Sequence, residues 1–233
     1  MIIALNNKSN LDKEEFINYN KQLEAINTSH TLILCPSTIN IPLSTSNNYE
    51  LGAQDISIFT TGAHTGEVNP TQLYSYGVKY VIVGHSERRQ EKQERNVEIN
   101  QKIKRALDCN ITPILCIGES SAEREKDLYK DVLSSEITIA MRDLTETDKA
   151  KIIIAYEPIW SIGTGIIPTT DQIDEAFAYI KEYLPNNKIL YGGSANENNI
   201  EELNKCKYID GYLLGGLSLK PENLQEFINR IKD

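Results

Sequence analysis

Tyr80-Val81-Ile82-Val83-Gly84-His85-Ser86-Glu87-Arg88-Arg89 compresses a strand, a turn and a helix start into ten residues. The apolar, β-branched run Tyr80 to Val83 ends at a glycine, as a short buried strand does. Ser86-Glu87-Arg88 reads as the first turn of a helix, and Gln93 to Leu107 continues with an amphipathic pattern. The same unit recurs along the whole chain. Apolar runs begin near Met1, Thr31, Leu51, Tyr80, Thr112, Ile152, Lys188 and Gly211, each followed by a loop bearing Gly, Ser, Thr or Asn.

Amphipathic stretches fill the intervals: Lys13 to Ile26, Gln93 to Leu107, Glu123 to Ile137, Thr170 to Leu184 and Pro221 to Ile231. In the first, Phe16, Leu23 and Ile26 share one face. Pro70 and Pro221 stand where helices start, because proline at the first helical position gives up only an amide that has no partner there. The second unit is the exception. Ile39 to Tyr49 holds Pro42 and a Ser/Thr/Asn cluster, which predicts a shortened or missing helix. No linker or charge block divides residues 1–233, so the reading is one domain.

Eight strands that each return through a helix fit a closed parallel (β/α)8 barrel or an open doubly wound sheet. The 233 residues lie near the roughly 250 of a typical barrel. A large open sheet would more often carry a dinucleotide fingerprint. The nearest string, Gly163-Thr164-Gly165-Ile166-Ile167-Pro168, has proline where the third glycine belongs. The barrel is the favoured α/β architecture.

Lys and Arg number 24 against 33 Asp and Glu, a net charge of −9, which argues against a nucleic-acid partner. No apolar run approaches the roughly 18 to 20 residues that span a bilayer, and Asn6-Asn7-Lys8 cuts the first one short of a signal-peptide core. No membrane role is expected, and the default compartment is the cytoplasm. Cys35, Cys109, Cys116 and Cys206 form no Cys-x-x-Cys pair and have no histidine nearby, so they read as free thiols, not as a metal site.

In a barrel of this kind chemistry lies at the C-terminal ends of the strands. Asn6 and Lys8 follow the first strand, His85 and Glu87 the fourth, Glu157 the sixth, Gly192-Gly193-Ser194 the seventh and Gly215-Gly216 the eighth. Each has an ordinary use: a solvated lysine, a structural histidine, a glycine that turns the chain. Together they bring a carboxylate, an imidazole, a cation, an amide and two glycine-rich loops to one rim.

The strings Gly84-His85-Ser86-Glu87-Arg88-Arg89, Leu51-Gly52-Ala53-Gln54, Gly62-Ala63-His64-Thr65-Gly66-Glu67, Ala155-Tyr156-Glu157-Pro158-Ile159-Trp160-Ser161-Ile162-Gly163-Thr164-Gly165 and Tyr191-Gly192-Gly193-Ser194 closely resemble the triosephosphate isomerase family. The match runs from Asn6 to about Leu219 in the family's order. The resemblance implies a glycolytic and gluconeogenic isomerase that interconverts dihydroxyacetone phosphate and D-glyceraldehyde 3-phosphate through an enediolate, with no cofactor and no metal. It implies Glu157 as the base and His85 as the neutral electrophile, the latter assignment being the general worked case for this enzyme. By the same resemblance Asn6 and Lys8 are expected to bind the substrate, and Glu87 to orient Lys8 or relay within the network. Gly163, Ser194, Gly215 and Gly216 offer backbone amides to the phosphate. It also implies a homodimer, with Thr65 reaching the partner's Asn6 and Glu67 pairing with Arg88 across the interface.

Three positions depart from the family. Asn7 stands where Trp is general and Ser9 where Met is common, which predicts weaker packing near the interface. Pro168 falls at the far end of the closing loop, Pro158 to Pro168. The family pattern implies two latches, Ser194 hydroxyl to the Gly165 amide and Tyr191 hydroxyl to an amide near 168. Proline has no N–H, so the second latch is expected to be missing. A different sugar-phosphate isomerase would need a metal or a second acid–base residue, and a non-catalytic binding protein would dispense with Glu157 or Lys8.

Overall fold

A computed structural model describes residues 1–45, 47–162 and 166–232. Eight strands, β1 Ile2–Asn6, β2 Thr31–Cys35, β3 Glu50–Ala53, β4 Tyr80–Val83, β5 Thr112–Ile117, β6 Ile153–Tyr156, β7 Ile189–Tyr191 and β8 Gly211–Leu214, pair in parallel and in sequence order into a closed barrel. The seam is β1 on β8, in register from Ile2 opposite Gly211 to Leu5 opposite Leu214. A side chain at 211 would set its Cβ 1.8 Å from the Ile2 carbonyl oxygen, so only glycine lets the barrel shut there.

Alternation along the strands divides the core in two. Ala4, Ile33, Cys35, Ile82, Ile114, Cys116, Ala155 and Leu190 fill the barrel interior with small and branched side chains. Ile3, Leu5, Leu34, Val83, Leu115, Tyr156, Tyr191 and Tyr212 point outward, where aromatic volume has helices to pack against. Both faces are buried, which is why the strands read as continuous apolar runs.

The helices are α1 Lys13–Leu23, α2 Pro70–Ser75, α3 Ser86–Glu91, α4 Asn96–Asp108, α5 Ser121–Glu125, α6 Tyr129–Ala140, α7 Glu146–Lys149, α8 Thr170–Tyr183, α9 Ile200–Leu203 and α10 Pro221–Asn229. Capping boxes start α1 at Asp12 with Glu15, α2 at Asn69 with Gln72 and α8 at Thr169 with Gln172. Pro70 and Pro221 do open helices. Phe16 and Leu23 are fully buried, and Ile26 packs just beyond the end of α1. After β2 a 3₁₀ segment, Thr38–Leu43, replaces the helix, as Pro42 predicts.

One stretch differs from its sequence reading. Glu123 to Ile137 is not a continuous helix: α5 and α6 are separate, with Asp127 between them at φ +58°, a left-handed conformation that no α-helix continues through. The buried face belongs to α6 alone, through Tyr129, Leu133 and Ile137, while α5 buries no side chain.

Candidate active site

At the C-terminal rim of the barrel lies a cavity of about 430 Å³ lined by Asn6, Lys8, His85, Glu157, Ser194 and Gly215, with Gly216 beside them. Five strand ends deliver these residues, as the rim argument requires. Glu87 lines an adjoining cavity with Lys8. Gly163 and the Gly165 amide lie outside the described residues.

Glu157 is 2% exposed, and its position is set from behind. Its N–H donates to the Ile117 carbonyl, and a Cβ on Gly118 would stand 1.8 Å from its own carbonyl oxygen, so a glycine after β5 is what lets the base sit this close to the neighbouring strand. Its Oε1 lies 3.1 Å from His85 Nε2, and its Oε2 accepts from the Ser86 N–H at 3.0 Å. Burial pushes the carboxyl pKa up, but the adjacent His85 and the Ser86 amide outweigh it and hold Glu157 below the ordinary carboxylate value.

His85 caps α3 with its own ring. Nδ1 accepts from the Glu87 N–H at 3.3 Å, which leaves the proton on Nε2, facing Glu157. Burial and Lys8 lower its pKa, while Glu157 and Glu87 raise it, and the net direction is upward. The helix start therefore favours the neutral tautomer, whereas the facing carboxylates favour the cation until something comes between them.

Lys8 adopts φ +53°, unusual for a residue with a Cβ. Its N–H donates to Asn6 Oδ1 at 3.1 Å and its carbonyl accepts from Gln54 Nε2 at 2.9 Å, so both neighbours hold the strained turn. With Oδ1 engaged, the Asn6 amide has its NH₂ group for the cavity. Lys8 Nζ pairs with Glu87 Oε1 at 2.5 Å. Lys8 is not the cavity's only cation: Lys220 also lines it and makes no salt bridge among the described residues. Lys220 is not among the rim residues read from the sequence; its place four residues beyond Gly216, at the end of the turn after β8, was the available signal.

The N–H groups of Ser194, Gly215 and Gly216 have no acceptor among the described residues and line the cavity's far end. Such a group of free donors with Lys220 nearby suits a tetrahedral anion. The Ser194 hydroxyl donates to the Ser161 carbonyl at 2.8 Å. Tyr191 is fully buried, and its hydroxyl has no hydrogen-bond partner among the described residues; burial pushes its pKa up to about 12, with the Ser161 hydroxyl opposing.

A second residue missed by the sequence reading is Glu119, fully buried after β5. Tyr156 Oη and Trp160 Nε1 both donate to its Oε1 at 3.0 Å, and burial raises its pKa against those bonds. It anchors the segment that leaves Glu157. It follows β5, one of three strand ends absent from the rim inventory, and extending that inventory to Gly118-Glu119-Ser120 would have found it.

Of the residues expected at an interface, Thr65 is exposed, Glu67 accepts from Ser57 Oγ, and Arg88 pairs within the chain with Asp55 at 2.7 Å. Asn7 is 1% exposed and bonded inward, whereas Ser9 is exposed. Among the described residues no cluster of three or more His, Cys, Asp or Glu could hold a metal ion, and no helix is long and apolar enough to cross a membrane.

A family model described as triosephosphate isomerase matches residues 1–231. A triosephosphate isomerase of Clostridium botulinum (strain Langeland) is 37% identical over 98% of this chain and 98% of its own length. One from Clostridium novyi is 41% identical over 85% and 84%, and one from Vesicomyosocius okutanii 46% over 74% and 73%. With the barrel closed, the rim residues gathered around one cavity and the match running nearly end to end, the chain belongs to the triosephosphate isomerase family.

Proposed function

We propose that Glu157 is the base with which this isomerase interconverts dihydroxyacetone phosphate and D-glyceraldehyde 3-phosphate, the triose step of glycolysis and gluconeogenesis. The observation that carries the reading is the contact between a carboxylate and an imidazole, both nearly buried, 3.1 Å apart at the wall of one cavity. A hydrogen α to a carbonyl is weakly acidic, so its removal needs a placed base and donors aimed at the oxygen that gains charge. Substrate entering between the two residues takes the Nε2–H of His85 onto its oxygens, joined by the Asn6 amide and the Lys8 ammonium. Freed from His85, Glu157 becomes more basic at the moment it must accept a proton. One carboxylate then serves both carbons, and the phosphate rests on the amides of Ser194, Gly215 and Gly216. Running the reaction in D₂O tests this: solvent deuterium should appear on carbon in the wild-type product, and exchange at the wild-type rate in Glu157→Gln would overturn the assignment of the base.

The active unit in this reading is a homodimer. The exposed segment 60–66 would enter the partner's adjoining cavity of about 230 Å³, lined by Lys8, Gln54, Glu87 and Arg88, where Thr65 would meet the partner. Arg88 would then exchange Asp55 for, or share it with, the partner's Glu67. Sedimentation should give about twice 26.3 kDa, and an active species at the single-chain mass would overturn it. The free cysteines and the family's place in glycolysis support a cytoplasmic enzyme.

The Tyr191 hydroxyl, without a hydrogen-bond partner among the described residues, accords with a latch lost to Pro168. Removing it should cost little, so Tyr191→Phe is expected to keep kcat within about two-fold, since the bond it would break, ordinarily about 0.5–1.5 kcal/mol, is not made. Ser194→Ala keeps the backbone donor and removes the remaining latch. It should lower kcat more and release more methylglyoxal, the product of intermediate that escapes before reprotonation. Parallel assays of kcat and methylglyoxal decide it: an equal or larger defect in Tyr191→Phe would mean that its latch forms elsewhere.

A further inference from the structure

Asn7 lies between two cavity-lining residues, yet it is 1% exposed and lines no part of that cavity. Its Nδ2 donates to Tyr19 Oη at 3.1 Å and to Ser218 Oγ at 3.2 Å. The Tyr19 hydroxyl donates its one proton to the Ser218 carbonyl at 2.6 Å, and the Ser218 hydroxyl donates its own to the Asn6 carbonyl at 3.0 Å. Each hydroxyl thus has its proton committed and a lone pair to fill, and the two amide hydrogens of Asn7 fill both. Turned over, the amide would present an oxygen to two oxygens with no proton left to give. The Asn7 Oδ1 is buried without a partner among the described residues, so this side chain is held for its donors.

The residues joined in this way belong to three elements: the end of β1, helix α1, and the 3₁₀ turn Gly216–Leu219 that follows β8. The β1–β8 ladder stops at Leu5 opposite Leu214. Past that point the two strands carry the Asn6–Lys8 segment and the Gly215–Gly216 amides. No ladder bond keeps these at a fixed separation. The two segments are close nonetheless, since a Cβ at Gly215 would lie 3.2 Å from Lys8 Cε.

We propose that Asn7, Tyr19 and Ser218 form a positioning unit that continues the seam beyond its last ladder bond and fixes the phosphate-facing turn against Lys8. The proposal rests on the phosphate reading of that end of the cavity. An asparagine does this where an indole, with a single N–H, has one donor to offer. The residue that departs from its family is thus employed in the site rather than in the interface.

Asn7→Leu, close in volume and without donors, is the direct test, read by kcat and KM for glyceraldehyde 3-phosphate, Ki for inorganic phosphate, and Tm. KM and Ki should both rise about ten-fold, as loss of a buried hydrogen-bonding unit predicts, while kcat stays within about three-fold. Tyr19→Phe should move KM and Ki the same way by less, and adding it to Asn7→Leu should give less than the product of the two, because both act through one network. It carries the test if Asn7→Leu fails to fold. A lowered Tm with wild-type KM and Ki would make the unit purely structural and overturn the proposal, as would multiplicative effects. Should inorganic phosphate not compete with substrate in the wild type, the phosphate reading falls and the proposal with it. Should phosphate compete there and bind the variants unchanged, only the positioning unit falls.

Discussion

Glu157→Gln should lower kcat by about 10²- to 10⁴-fold while leaving KM within a few-fold of wild type, the range that a positioned general base supplies. The amide keeps the size of the side chain and an oxygen for the Ser86 N–H, so the cavity and its phosphate end persist while the proton acceptor is gone. Glu157→Asp keeps the charge and retracts it by one methylene, and a misplacement of about 1 Å is enough to cost roughly 10²-fold. The pH profile adds a second measurement. Because His85 holds the free carboxyl below its ordinary value, kcat/KM of the wild type should remain flat as pH falls through the usual carboxylate range and drop only beneath it. His85→Gln removes the opposing charge and leaves burial in control, so the acid limb should move up. The same coupling stabilises the fold above the ordinary carboxylate pKa, a contribution lost as pH falls through the depressed one. Turnover near wild type in clean Glu157→Gln protein would remove the assignment.

Lys8→Ala should raise KM by about 10- to 100-fold, more than loss of one cation beside a dianion suggests, because it also uncovers Glu87. Both members are partly exposed, at 29% and 43%, so water screens the pair and the upper part of the range is the ceiling. The double variant Lys8→Ala, Glu87→Gln separates the two contributions: removing the stranded carboxylate should recover part of the lost affinity. Lys220→Gln, at an exposed residue with no ion pair to disrupt, should raise KM only about three-fold, and the effect should fade with added salt. A Lys8→Ala KM equal to wild type at low ionic strength would return Lys8 to the protein surface.

What the sequence made legible was whatever depends on short-range alternation. The strands begin within a residue of their apolar runs because a strand buried on both faces has few other ways to be written. Pro70 and Pro221 marked helix starts, and Pro42 the missing α-helix after β2, for steric reasons that hold in any context. The rim residues were legible because strand polarity alone decides at which end they emerge. Illegible features depend on contacts between distant segments. The break at Asp127 is a local conformation that the buried face conceals, and Glu119 gains its role only when Trp160, 41 positions later, folds back on it. Asn7 read as a loss of packing because it stands where the family generally has Trp, whereas its partners, Tyr19 and Ser218, lie 12 and 211 positions away. The side-chain pairing of Lys8 with Glu87 across 79 residues was anticipated only through family likeness.

The presence of Asn7 in place of an indole has an optical corollary. Trp160 is left as the single tryptophan of the chain, with its ring N–H on the Glu119 carboxylate at 3.0 Å. Tryptophan emission responds to the polarity and charge around the ring, so the fluorescence of the native protein reports on one hydrogen bond two residues from the end of the Glu157-Pro158 turn. If ligand binding draws the indole away from Glu119, the emission changes, and rapid mixing can time that departure with neither an attached dye nor an introduced residue.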